Sequence, residues 1–105
     1  MDPHRRAEIR SLALHAEVVR RLRERPALID EARRRLERWA ASGAVAAPYV
    51  EAWTEALEQA PEELYAQLVA DDEEARALRQ CSPFAGVLTP TERWAIWRRA
   101  GEETA

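Results

Sequence analysis

Six prolines, at positions 3, 26, 48, 61, 83 and 90, constrain this chain more than any other feature. Proline removes a backbone donor and clashes inside a helix, yet it fits the first turn, where the missing N–H has no partner to lose. Each proline therefore marks a helix start or a loop. The residues between them are mostly Ala, Leu, Glu and Arg, the best helix formers, with few β-branched residues and only three glycines. No segment alternates as a strand would over five residues. The pattern predicts an all-α, compact single-domain bundle of five to six helices, some short, over residues 1–105.

The segments read as follows. Asp2-Pro3 opens a first helix with an apolar stripe of Ile9, Leu12, Ala16, Val19 and Leu22; Pro26 ends it by pushing Arg25 out of the helical region. A second helix runs from about Pro26 to Ala41, with Leu28, Ile29, Ala32, Leu36 and Trp39 facing inward, and Ser42-Gly43 closes it. Pro48 starts a third, with Tyr49, Trp53, Leu57 and Ala60 inward, and Pro61 a shorter fourth, with Leu64, Tyr65, Leu68 and Val69. Asp71 is expected to cap a fifth helix. Thr89-Pro90-Thr91-Glu92 is a capping box for the last, which is expected to end at Gly101 and leave residues 101–105 as a frayed tail. Between the last two helices, Ser82, Pro83, Phe84 and Gly86 belong to an apolar bridge expected to plug the bundle.

Length and composition exclude several classes. A chain of 105 residues buries roughly 65% of its unfolded surface, enough for one core. No run approaches the roughly 20 apolar residues of a membrane span, and no secretory signal is visible. With Cys81 as the single cysteine, no internal disulfide forms, and the reading is a cytoplasmic protein without membrane association. All sixteen basic residues are arginine, which GC-rich codon usage explains. Their distribution is uneven. Residues 1–42 carry eleven Arg against seven acids, residues 43–75 carry nine acids and no base, and residues 76–105 carry five Arg against three acids.

Catalytic signatures are sparse. His4, His15 and Cys81 have no metal-ligand spacing, and there is no phosphate-cradling glycine loop and no nucleophile elbow. His15 sits at the edge of the core stripe and reads as a packed or capping histidine, and Cys81 as a buried filler. The expectation is a protein that is not an enzyme and has no cofactor and no metal. Arg20, Arg21, Arg23, Arg33, Arg34, Arg35 and Arg38 on the first two helices offer DNA binding as an alternative. The interleaved Glu17, Glu24, Asp30, Glu31 and Glu37 and the proline at the connection weaken that alternative. The last helix strains a purely structural account, because Trp94 and Trp97 share one face while Ile96 points elsewhere. Flanked by Arg93, Arg98 and Arg99, that face has the residue types that dominate protein interfaces.

The run Arg79, Gln80, Ser82, Pro83, Phe84, Ala85, Gly86, followed by Glu92, Arg93, Trp94 and Trp97, resembles that of short bacterial helical proteins of the antitoxin type, within a similarity over roughly residues 11–99. The resemblance implies no catalytic residues. It implies a binding protein that neutralises a cognate toxin enzyme, such as a nuclease or nucleotidyltransferase, by covering it. Glu51, Glu55, Glu58, Arg93, Trp94, Trp97 and Arg98 are the candidate partner-binding residues, the acids suiting a basic cleft. A DNA-binding regulator and a homo-oligomer formed through the last helix are the alternatives.

Overall fold

A computed structural model describes residues 2–103. Among these there are six α-helices, one 3-10 turn and no strand. The helices are α1 (Pro3–Glu24), α2 (Leu28–Ser42), α3 (Ala47–Glu58), α4 (Pro61–Leu68), α5 (Glu73–Arg79) and α6 (Pro90–Glu103), with the 3-10 turn at Ala85–Val87.

Local chemistry sets most of the boundaries. Asp2 accepts from the His4 N–H to cap α1, and Arg25, held at φ −142° before Pro26, stops it. Pro26 and Ala27 form a turn, so α2 begins at Leu28, two residues later than the proline suggests. Gly43 closes α2 in the left-handed region at φ 71°, as its position predicts. Thr89 and Glu92 form the reciprocal box of α6: the Glu92 N–H donates to Thr89 Oγ1 (3.1 Å) and the Thr89 N–H to Glu92 Oε1 (2.9 Å). The cap of α5 is displaced by one residue from expectation. Asp72 accepts from the Ala75 N–H, while Asp71 is drawn into ion pairs with Arg5 and Arg76. The tail expected from Gly101 is also helical as far as Glu103, because Gly101 packs against the Arg10 guanidinium of α1. Residues 104 and 105 lie outside the described residues.

Helix α1 is the spine of the bundle, contacting α2, α4, α5 and most extensively α6, while α3 packs on α2, α4 and α5. Helices of seven to fifteen residues are marginal alone, so this packing is what holds them. Trp53, Phe84, Leu22, Leu64, Leu68 and Val18 are the largest fully buried side chains. Each such burial contributes roughly 1.5–3 kcal/mol. Trp53 Nε1–H donates to the Leu78 carbonyl at 3.1 Å, and Phe84 meets the Trp53 ring edge-on at 5.8 Å, so the apolar bridge does plug the core. Pro83 is buried with Phe84, and the Arg35 guanidinium lies over Gly86.

The inward face of α1 is rotated from its simple apolar stripe. His15, Val18, Val19 and Leu22 are buried, whereas Ile9 and Leu12 are half-buried and Ala16 is exposed. The reason is that α1 serves two neighbours at once, with α6 along one flank and the core on the other, and no single stripe serves both. Tyr49, Val69 and Ala60 likewise end at the surface. Cys81 is partly exposed and so is not the buried filler expected of it.

Candidate binding groove

The N-terminal half of α1 and the Trp face of α6 border an open groove of about 780 Å³. Its volume lies within the range of small-molecule sites. Arg6, Arg10 and Leu14 line the α1 wall; Arg93, Trp94 and Trp97 line the α6 wall; His15, Arg79 and Ser82 are contributed by the interior. The α1 wall is accessible because Ala7 and Ser11, one turn apart, are small.

His15 is 2% exposed and bonded at both ring nitrogens. Nδ1 lies 2.8 Å from the Ser11 carbonyl, which can only accept, so Nδ1 carries the proton. Burial, reinforced by the positive charge of Arg79 and opposed by the Ser11 hydrogen bond, lowers the imidazole pKa to about 4. The ring is therefore neutral near pH 7, and its bare Nε2 accepts from Ser82 Oγ–H at 2.8 Å. Ser82 Oγ in turn accepts from the Phe84 N–H at 3.1 Å. A serine and a histidine in this contact resemble a nucleophile and its base. However, a base whose conjugate acid has a pKa near 4 is roughly a thousandfold weaker than one poised at 7, and Arg79 opposes the imidazolium such chemistry requires. The pair anchors the 82–84 turn to α1.

Arg79 is the most unusual side chain of the groove, a cation only 5% exposed. Nη1 donates to the carbonyls of Leu68 (3.2 Å), the last residue of α4, and of Ala70 (2.6 Å), two residues beyond it, at a helix end where a positive charge is favoured. Burial lowers its pKa from the ordinary arginine value, with Asp71 opposing. Among the described residues nothing accepts from its Nε or Nη2, nor from Nε of Arg6.

On the outer wall, Trp94 and Trp97 stack with ring centroids 4.9 Å apart and planes 14° from parallel, and remain 54% and 43% exposed. Arg10 lies 3.4 Å over the Trp97 ring and donates from Nε to the Trp97 carbonyl at 3.1 Å. Ile96, on the other side of α6, packs against the core. The Trp face is thus surface, and the Ile side holds the helix down.

The candidate partner-binding residues fall on two elements. Arg93, Trp94, Trp97 and Arg98 share α6. Glu51, Glu55 and Glu58 are exposed on α3, and none pairs with a cation among the described residues. The other acids of the middle block differ: Glu62 is bound by Arg23, and Asp71 by Arg5 and Arg76. Many arginines of α1 and α2 are also engaged, Arg20 by Glu17 and Glu24, Arg21 by Glu17 and Glu92, and Arg33 by Asp30. Sequence reasoning placed no role on Arg6, Arg10 or Arg79. The one available signal was the pair of small residues Ala7 and Ser11 leading into His15. No family model matches the chain, and no curated protein or solved structure matches it either.

Proposed function

We infer that this protein is a non-enzymatic binding module that recognises a protein partner through the tryptophan face of α6, as the antitoxin or immunity partner of a cognate toxin enzyme. One observation carries the binding reading: Trp94 and Trp97, stacked on each other, stay 54% and 43% exposed. Two adjacent exposed tryptophans keep a large apolar area in water, and truncating such residues at interfaces commonly costs more than any others. The stack and the Arg10 guanidinium hold the rings in place before binding, which lowers the ordering cost.

The toxin-directed role rests on the sequence resemblance. The unpaired acids Glu51, Glu55 and Glu58 support a partner with a basic cleft, such as a nuclease or nucleotidyltransferase. The regulator alternative is less well supported, since the arginines it would use are largely held by the protein's own carboxylates. The test is to co-express the chain with the product of the neighbouring gene. A complex on size exclusion that Trp97→Ala abolishes, together with rescue of growth, supports the reading. No complex and no rescue overturns it, and a homodimer lost in Trp97→Ala would assign the same face to self-association.

A further inference from the structure

The groove between α1 and α6 carries a charge that the protein leaves uncompensated. Among the described residues six arginines make ion pairs with the chain's own carboxylates, Arg5, Arg20, Arg21, Arg23, Arg33 and Arg76, and none of them lines the groove. The four that do line it, Arg6, Arg10, Arg79 and Arg93, pair with no carboxylate among the described residues, and no Asp or Glu faces them across it. His15 is neutral, so the lining is wholly positive in a chain whose acids outnumber its bases by 19 to 16. Arg79 acts there only through its field, being 5% exposed, whereas Arg6, Arg10 and Arg93 are half-buried on the two walls and Arg98 is exposed one residue past Trp97. A concave wall of one sign concentrates potential and selects the opposite charge in whatever docks.

The remaining lining says what else the occupant carries. Leu14, Pro90 and Ile96 give the groove an apolar floor under the exposed Trp94 and Trp97, so an apolar side chain fits between the charges. A polyanion that stacks its bases is less well matched. Such binding uses free aromatic faces in succession, whereas the Trp97 ring already carries Trp94 at 4.9 Å and the Arg10 guanidinium at 3.4 Å. Guanidinium groups also match carboxylates in parallel hydrogen bonds.

We propose that the segment of the protein partner received by this groove is acidic, with Asp or Glu side chains meeting Arg93 and Arg98 and an apolar side chain between them against Trp94 and Trp97. The inference rests on the partner reading above and adds the sign of the partner's charge at α6. A basic cleft of the same partner then belongs opposite Glu51, Glu55 and Glu58 on α3.

The test is calorimetry of the purified chain against the purified product of the neighbouring gene at low and high salt. Arg93→Glu places an acid near the N-terminus of α6, where the helix dipole favours one, and Arg98→Glu changes an exposed position, so both are expected to fold as the native chain does. Each is expected to weaken the complex roughly tenfold or more and to reduce its salt dependence. Arg34→Glu, at an exposed and unpaired position of α2 outside the groove, is expected to change affinity little. Binding by folded Arg93→Glu and Arg98→Glu that is as tight as native or tighter, in a complex that Trp97→Ala still abolishes, overturns the acidic assignment and leaves the partner reading standing. No complex with the native chain overturns both. Oligothymidine that displaces the partner from the native chain and binds it in place of a protein segment would assign the groove to nucleic acid, and a dimer of the chain alone that Arg93→Glu abolishes would assign it to a second copy; either overturns the proposal.

Discussion

Ser82 Oγ donates to Nε2 of His15 across 2.8 Å, joining two positions 67 residues apart in the chain. This contact ties the apolar bridge to the middle of α1, where burial keeps the imidazole neutral. Phe84 is thereby set two residues beyond the anchor, against Trp53.

A pH dependence follows. The His15 pKa is about 4 in the fold against 6.5 ordinarily, so between those values the unfolded chain binds a proton that the folded chain refuses. The stability it contributes is complete above about pH 6.5, declines as the pH falls, and is fully lost below about 4; its size is up to about 3 kcal/mol. Urea unfolding at pH 7, 5.5 and 4.5 reads this directly, and His15→Gln is expected to flatten that part of the profile.

A second acid phase lies lower. Asp71 and Glu92 are each held at about 2, Asp71 chiefly by hydrogen bonds from Arg5 and then Arg76, and Glu92 chiefly by Arg21 and then Thr89. Being depressed carboxylates, they contribute above their ordinary range and lose that contribution as the pH falls towards 2. In the Glu92→Gln/Asp71→Asn double variant, the remaining decline below pH 4 is expected to shrink in the same urea series.

The α6 box is separable from the core. Thr89→Ala is expected to cost about 1 kcal/mol, and Thr89→Ala with Glu92→Ala less than the sum of the two single changes, since each residue satisfies a donor of the other. A thermal-melt double-mutant cycle measures the coupling, and strict additivity would show the two hydrogen bonds to be independent.

The tryptophans divide into two kinds. Trp53→Ala removes a fully buried ring and its bond to the Leu78 carbonyl, and Phe84→Ala removes the ring that meets it; each is expected to cost about 3–5 kcal/mol. Trp97→Ala removes a half-exposed ring and a surface cation–π contact, and is expected to stay within about 1 kcal/mol. Chemical denaturation of the three variants tests the division.

The local signals and the long-range ones were unequally legible. Gly43, the Thr89–Glu92 box and the stop at Arg25 depend on residues within four positions of one another, and the sequence displays them. Asp71 shows where such reading ends. Its spacing suits a helix cap, but Arg5, 66 residues away, lies within reach once α1 packs beside α5, and Asp72 takes the cap instead.

The candidate site follows the same rule. That Trp94 and Trp97 share a face apart from Ile96 follows from helical periodicity, so an amphipathic last helix was determined by the sequence alone, as was an all-α chain broken near its prolines. Which side of α6 meets water was decided only when α1 took the Ile96 side. The burial of His15 and Arg79, and the groove they border, likewise exist only in the assembled bundle. Periodicity and capping act within a few residues of chain, whereas burial and pairing depend on which helices pack together, and that is settled by the sum of many weak contacts between distant segments.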